Sequence, residues 1–139
     1  MTQPELLGPP PKAAKLVKVS LFLKKRPDIT DDYFRAYWYH NHRVLFVDTK
    51  AFRKYVRKYN QSHYVKDQVA INSEIINFAQ PEYDGVAEFW LDSLEDWRKL
   101  WADPEFTEAV AGKSGARLGA RELLKREWHA DFLVYEYRG

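Results

Sequence analysis

Residues 16–23 read LVKVSLFL, and this stretch decides the fold. Its apolar and polar side chains alternate, and a period of two residues is typical of a β-strand with one buried face. The apolar face carries Val17, Val19, Leu21 and Leu23, and the other face carries Lys18, Ser20 and Phe22. The same period returns in residues 86–91 and 128–137, so the sequence predicts two further strands there.

A long helix is predicted after the first strand. Thr30 is a suitable N-cap, and Asp31 and Asp32 then fall in the first turn, where the helix dipole favours acids. The helix is predicted to end near Val47. At about 100° per residue, its buried face carries Phe34, Trp38, Asn41 and Leu45, with Tyr37 and His42 at the edges.

The rest of the chain completes a mixed pattern. Residues 51–65 predict a long strand, with Tyr55, Arg57 and Tyr59 on one face, and residues 66–81 predict an irregular connection. Ser93 caps a second helix, and Pro104 opens a short helix over residues 104–111. A further helical segment is predicted near 118–126. The order β-α-β-β-α-β predicts an α+β fold of the ferredoxin-like type, an antiparallel sheet with helices on one face.

The sheet face away from the helices is predicted to be unusually aromatic. It would carry Lys18, Ser20, Phe22, Tyr55, Arg57, Tyr59, Glu88, Trp90, His129, Asp131 and Tyr135. An apolar patch of this kind is typical of an interface or a ligand site. Two copies that pack sheet to sheet would bury it, and a partly open barrel would enclose a cavity, so we expect a homodimer.

Composition excludes several classes of protein. The 139 residues suffice for one domain, predicted at residues 15–139 after a flexible, proline-rich tail at 1–14. The chain has no cysteine, which excludes disulfides, zinc-thiolate sites and a cysteine nucleophile. A net charge of +2 gives no reason to expect nucleic acid. No apolar run approaches the roughly 18 residues of a membrane span, and no signal peptide is recognisable, so we expect a cytoplasmic protein without membrane contact.

Two motifs resemble the EthD-domain family. KVSLFLKKRPDIT, residues 18–30, precedes YFRAYWYHNH, residues 33–42, with Trp38 and His42 in a W-x-x-x-H spacing. The second motif is YDGVAEFWLDSLEDWRKLWADPEF, residues 83–106. The resemblance implies a dimeric α+β barrel. Fungal members that the sequence resembles are decarboxylases of anthrone-type polyketide acids such as atrochrysone carboxylic acid, and other relatives are cyclases, dehydratases and cofactor-less monooxygenases.

Decarboxylation of an aromatic acid needs a proton donor and a pocket, but no cofactor. His129 is the first candidate donor, because strand alternation would place it beside Asp131 in the cavity. His42, at the family position, and His63, if the second strand stays regular, are further candidates. A core role for His42 and a rim position for His129 are the structural alternatives.

The binding candidates lie on the same predicted face. Glu88 should pair with Lys18 or Arg57, or titrate high. Lys18 and Arg57 would bind a substrate carboxylate, or serve as surface charges. The aromatic candidates Phe22, Tyr55, Tyr59, Trp90 and Tyr135 would line a pocket for an aromatic substrate, or form the dimer core.

Other chemistries lack their motifs. His40 and His42 are two residues apart and point to different sides of a helix, so no metal is expected. The segment GKSGARLG, residues 112–119, lacks the order of a phosphate loop, and no G-x-S-x-G elbow occurs. The sequence therefore favours a cofactor-free lyase. A cyclase, dehydratase or monooxygenase, and a non-catalytic ligand-binding dimer, stay open.

Overall fold

Four strands form one antiparallel sheet. The computed structural model describes residues 3–66, 74–75, 82–110 and 124–135, and for 13 and 124–135 the backbone course alone is described. The strands are β1 (Ala13–Lys25), β2 (Val56–His63), β3 (Gly85–Leu91) and β4 (Leu124–Tyr135). They lie in the order β2-β3-β1-β4, and each neighbouring pair is antiparallel. The predicted ferredoxin-like α+β fold is confirmed.

The helices begin where the sequence provides caps. Their bounds are α1 (Asp31–Tyr37), a π-helical turn (Trp38–His42), α2 (Arg43–Phe46), α3 (Lys50–Tyr55), α4 (Leu94–Ala102) and α5 (Pro104–Val110). The hydroxyl of Thr30 accepts a hydrogen bond from the Tyr33 N–H, and that of Ser93 accepts one from the Asp96 N–H, both at 3.1 Å. Both predicted N-caps are confirmed.

The π-helical turn decides which side chains of the first helical segment are buried. An α-helix turns about 400° in four residues, so side chains at this spacing drift by about 40° per step. The Arg43 N–H donates to the Trp38 carbonyl, five residues back, and the wider turn keeps the four buried side chains in line. These are Phe34, Trp38, His42 and Phe46. The prediction that Asn41 and Leu45 share the buried face is wrong, because this turn shifts the phase: Asn41 is exposed and Leu45 only half-buried.

The prediction of a strand over residues 51–65 is wrong in its first part. The Thr49 hydroxyl donates to the Phe46 carbonyl at 2.7 Å and accepts from the Phe52 N–H at 3.4 Å, so it caps helix α3. Tyr55 consequently lies at the end of a helix and packs beside the core, and it is not a strand residue. The strand begins at Val56.

A β-bulge then reverses the predicted faces of β2. Val56 lies opposite Leu91 and Lys58 opposite Trp90, so Arg57 is an extra residue between them. One extra residue moves every following side chain to the other face. The core face of the sheet, towards the helices, therefore receives Tyr59, Gln61 and His63, which lie opposite Phe89, Ala87 and Gly85. The other side is called the outer face, and it carries Lys18, Ser20, Phe22, Lys58, Asn60, Ser62, Val86, Glu88 and Trp90.

Strands β1 and β4 both begin earlier than predicted. Strand β1 begins at Ala13, inside the predicted tail, and extends to Lys25. Strand β4 begins at Leu124. The prediction of a helix near 118–126 is therefore wrong for residues 124–126, which belong to this strand. Residues 67–73, 76–81, 111–123 and 136–139 lie outside the described residues, and so do the predictions made for them.

Asp84 connects the ends of three strands. Its backbone N–H donates to the Leu23 carbonyl at 2.8 Å, and its carbonyl accepts from the Tyr64 N–H at 3.0 Å. Its carboxylate accepts from the Lys25 N–H at 2.8 Å and forms an ion pair with Lys66 at 3.0 Å. This buried residue therefore holds β1, the end of β2 and the start of β3 together.

Gly85 lies under the Trp38 ring and should tolerate no side chain. A Cβ there would come within 2.5 Å of Cζ3 of Trp38 and 2.8 Å of the Ser62 carbonyl oxygen. We expect Gly85→Ala to lower the free energy of unfolding by about 1–3 kcal/mol, the usual cost of overpacking. Urea denaturation measures this change. Gly8→Ala is the control, because no atom lies within 4 Å of a Cβ at Gly8. Equal unfolding midpoints for the two variants would contradict the tight packing of Trp38 on Gly85.

Candidate active site

A small cavity lies between the helices and the core face of the sheet. Its volume is about 20 Å³, which is room for one water molecule. Its walls are almost entirely apolar, and the lining residues that carry a polar side-chain atom are Trp38, His42, Tyr59 and Trp101. The lining residues are Leu21, Leu23, Trp38, His42, Phe46, Tyr59, Ala87, Phe89, Trp101, Phe106 and Val110. Of the lining residues, Trp101, Tyr59 and Val110 are partly exposed, and the others are buried.

His42 is the unusual residue of the cavity. It is only 6% exposed, and its Nδ1 atom has no hydrogen-bond partner among the described residues. Its ring meets the edge of the Phe46 ring, with centroids 5.2 Å apart. Burial lowers the pKa of His42 from 6.5 to about 4. The imidazole is therefore neutral near pH 7, and its ring nitrogen without a hydrogen can accept a hydrogen bond.

Tyr59 begins a chain of hydrogen bonds along β2. The side-chain amide N–H groups of Gln61 donate to the Tyr59 oxygen at 2.9 Å and to the Trp38 carbonyl at 3.1 Å. The Gln61 carbonyl oxygen lies 2.9 Å from Nε2 of His63. Burial raises the pKa of Tyr59 to about 12, although hydrogen bonds from Gln61 and Trp38 and the charge of Arg43 oppose the increase. Tyr59 is thus a neutral phenol whose oxygen already accepts a hydrogen bond.

His63 ends this chain nearer to the surface. Its ring packs on the Trp38 indole, with centroids 4.4 Å apart, and it is partly buried. Burial, and secondly the positive charge of Arg35, lower the pKa of His63. His42 and His63 therefore lie on the helix side of the sheet, and both favour the neutral state.

The outer face carries a separate polar cluster. The Lys18 ammonium pairs with Glu88, whose carboxylate also accepts from Asn60 at 3.0 Å and from Ser62 at 2.9 Å. Burial raises the pKa of Glu88, but these hydrogen bonds and the Lys18 charge outweigh it, and the net pKa is lowered. The predicted Lys18–Glu88 pair is confirmed, and the alternative that Glu88 titrates high is wrong.

Trp90 is flanked by two cations on the outer face. The Lys18 and Lys58 ammonium groups lie 5.2 Å and 4.6 Å from its ring centroid. Phe22 packs against Tyr83 with ring centroids 5.4 Å apart. Trp90 and Phe22 are partly exposed, so this face carries accessible aromatic surface.

Comparison with known proteins identifies the family. A model of the EthD domain matches residues 26–116. The chain belongs to the EthD domain family. No curated protein sequence matches significantly.

Two solved structures resemble this chain. A dimeric protein of unknown function with a ferredoxin-like fold, from Bacteroides fragilis NCTC 9343, is 14% identical, with a TM-score of 0.58. The match covers 89% of this chain and 100% of that one. An ethyl tert-butyl ether D (EthD) family protein from Bacillus halodurans C-125 is 16% identical, with a TM-score of 0.52, over 84% of this chain and 96% of that one. At these identities the likeness shows the fold.

The structure separates residues that were predicted to share one face of the sheet. Tyr59 lies on the core face among Phe46, Phe52 and Phe89, because of the bulge at Arg57. The Arg57 guanidinium forms an exposed ion pair with Asp92, with a nitrogen–oxygen distance of 2.7 Å. Arg57 was the alternative predicted partner of Glu88, and it pairs with Asp92 instead. Strand register pairs His129 with Phe22 and Asp131 with Ser20, and Tyr135 with Ala13. The β4 side chains lie outside the described residues.

Sequence reasoning missed Gln61 and Lys58. Both positions follow from the bulge, which reverses β2 after Arg57. The spacing Tyr59-x-Gln61-x-His63 was a signal, because alternate residues of a strand share a face.

Among the described residues, no group of three or more possible metal ligands occurs. No helix in the described ranges is long and apolar enough to cross a membrane.

The buried neutral His42 should make EthD-domain stability depend on pH. Below its ordinary pKa, the unfolded chain takes up a proton that the folded chain refuses until about pH 4. We therefore expect the free energy of unfolding to fall as the pH decreases from 6.5 to 4, with a His42 contribution of up to about 1.4 kcal/mol per pH unit. His63 contributes with the same sign.

Urea denaturation between pH 4 and 7 measures this slope. His42→Gln should flatten it, and His40→Gln, at an exposed position, should leave it as in the wild type. An identical slope in His42→Gln and the wild type would show that His42 is not held neutral.

Proposed function

We propose that this EthD-domain protein is a cofactor-independent decarboxylase, a lyase that acts on an aromatic polyketide carboxylic acid of the anthrone type. Two features support this proposal. The first is the resemblance of the chain, in its length and in its long connection at residues 66–81, to the fungal polyketide-tailoring decarboxylases of the EthD family. The second is the aromatic-walled cavity that His42 and Tyr59 line. A cyclase, dehydratase or monooxygenase in the same pocket, and a non-catalytic ligand-binding dimer, are the competing outcomes.

The single observation that carries the proposal is the unpartnered Nδ1 atom of His42. A buried polar atom without a hydrogen bond costs about 1–3 kcal/mol. Unsatisfied buried polar atoms are few in native proteins, and a catalytic role is one of the reasons for which they are retained. The surrounding apolar walls exclude water and disfavour a carboxylate relative to carbon dioxide, which is the direction of the reaction.

The proposed chemistry uses neutral groups. The negative charge of the bound substrate carboxylate favours the protonated imidazole and raises the pKa of His42 in the complex. His42 can then accept the proton of the substrate hydroxyl next to the carboxylate, and Tyr59 donates a hydrogen bond to that oxygen as its charge develops. The imidazolium returns the proton to the ring carbon that bears the carboxylate. The bond to the carboxylate then breaks, carbon dioxide leaves, and the electron pair of that bond restores the aromatic ring. Solvent reprotonates the phenolate, so no oxidant or metal is consumed.

The substrate has to enlarge the cavity. A volume of about 20 Å³ is far smaller than a fused-ring acid. In our proposal the partly exposed side chains of Trp101 and Val110 move outward on binding. The ring then stacks against Phe46, Phe106 and the displaced indole through offset aromatic contacts.

We also propose a homodimer formed through the outer face. In the described part of the chain, the helices that bury the core lie on the other face, and the outer face carries the partly exposed rings of Phe22 and Trp90. Aromatic residues are enriched in protein interfaces. The structural neighbour from Bacteroides fragilis is described as dimeric, which supports this proposal.

Histidine variants test the assignment of the site. We expect His42→Gln to lower kcat by about 10²-fold or more, the effect of losing an acid–base group. Tyr59→Phe should lower kcat by about 10²-fold, the effect of losing one oxyanion donor. Release of carbon dioxide and product mass from an anthrone carboxylic acid measure turnover. His40→Gln, at an exposed position, is the matched control.

The outer face is tested in the same assay. His129→Gln and Asp131→Asn should keep turnover near the wild-type value if the cavity is the site. Loss of activity in His129→Gln with full activity in His42→Gln would move the proton donor to the outer face.

Turnover should survive dialysis against EDTA. Activity that is lost and then restored by zinc or manganese would contradict a cofactor-free lyase.

The homodimer is tested by a charge in the proposed interface. We expect Phe22→Glu to convert a dimer into a monomer at micromolar concentration, because burying an unpaired carboxylate is costly. Light scattering measures the mass. Tyr33→Glu is the control, since Tyr33 is 49% exposed on α1. A monomeric wild-type protein would overturn the proposed interface.

A further inference from the structure

The hydrogen bonds of Gln61 have one consistent assignment. The Trp38 carbonyl can only accept, so the Gln61 atom 3.1 Å from it is the amide nitrogen. That nitrogen donates its second hydrogen to the Tyr59 oxygen at 2.9 Å. The Gln61 carbonyl oxygen then faces Nε2 of His63, which must carry a hydrogen. Both ends of the amide are therefore fixed by its neighbours.

This assignment constrains the two groups that Gln61 contacts. The Tyr59 oxygen accepts from Gln61, so its own hydrogen points away from Gln61. Tyr59 lines the cavity that also contains the unpartnered Nδ1 of His42. His63, with its hydrogen on Nε2, keeps the lone pair on Nδ1.

We propose that Gln61 is a positioning residue, which directs the Tyr59 hydroxyl hydrogen into the cavity and holds His63 as the Nε2–H tautomer. The catalytic part of this inference rests on the proposed function, whereas the tautomer of His63 does not. The role depends on the π-helical turn, because the Trp38 carbonyl that orients the amide belongs to it. A group aligned before the substrate arrives needs no reorientation when negative charge develops on the substrate oxygen.

The decisive variant is Gln61→Glu, which keeps the shape and removes both N–H donors. The carboxylate would accept the Tyr59 hydrogen, so Tyr59 could no longer donate into the cavity. We expect kcat to fall by about 10²-fold, with little change in KM. In a Tyr59→Phe background the same substitution should cause no further loss. Gln3→Glu makes the same charge change at an exposed position and is the control.

The second measurement is the ¹⁵N NMR spectrum of the histidine rings, which needs no substrate. The wild type should show His63 with its hydrogen on Nε2, and Gln61→Met should release this preference. Gln61→Met also replaces Gln61→Glu in the kinetic comparison if the glutamate variant does not fold.

Each outcome decides a different part of the proposal. A wild-type His63 with its hydrogen on Nδ1 would overturn the positioning role, whatever the activity of the enzyme. If Gln61→Glu lowers kcat by the same factor in the wild type and in the Tyr59→Phe variant, Gln61 does not act through the Tyr59 hydroxyl, and this part of the proposal is wrong. The expected tautomer in a protein without decarboxylase activity would support the positioning role and contradict the proposed function.

Discussion

The close contact between the Trp38 ring and the backbone of Gly85 is the constraint on which the rest of the structure depends. A Cβ at Gly85 would overlap Trp38 at 2.5 Å, so glycine is what allows the helix to approach the sheet here. Asp84, the residue before Gly85, fixes the same stretch of backbone through hydrogen bonds to the end of β1 and to Tyr64, which follows β2. The π-helical turn, the end of β1, the end of β2 and the start of β3 therefore meet at one point, and the position of each depends on the others.

The site follows from the way Trp38 is held. Its ring occupies the space over Gly85, and its carbonyl belongs to the π-helical turn that brings His42 into the core. The same carbonyl orients Gln61, which contacts Tyr59 and His63. One tryptophan thus supports the wall of the cavity, the burial of the imidazole and the hydrogen-bond chain along β2. π-Turns are frequent at functional sites because they alter side-chain direction locally without ending a helix.

The two faces of the sheet have different chemistry. The core face holds neutral groups in an apolar setting, and burial moves the pKa of His42 and of Tyr59 towards the uncharged state. The outer face holds charges that satisfy one another, with Glu88 bonded to Lys18 and Trp90 between two ammonium groups. A neutral, water-poor site suits reactions of uncharged or partly desolvated substrates, and a polar-aromatic face suits association between proteins.

The sequence by itself determined the fold class, the helix caps at Thr30 and Ser93 and the faces of β1 and β3, because these depend on local periodicity and on side chains close in the chain. It did not determine the faces of β2. The bulge at Arg57 arises where the strand meets Leu91 and Trp90, which are distant in the chain, and one extra residue reverses all that follow. For the same reason the first-helix face was misassigned: the π-helical turn is held in part by Gln61, from another element. The tertiary structure therefore decided that His42 lines the cavity and that Tyr59 and His63 lie on the core face, since a shift of one residue exchanges the two faces of a strand.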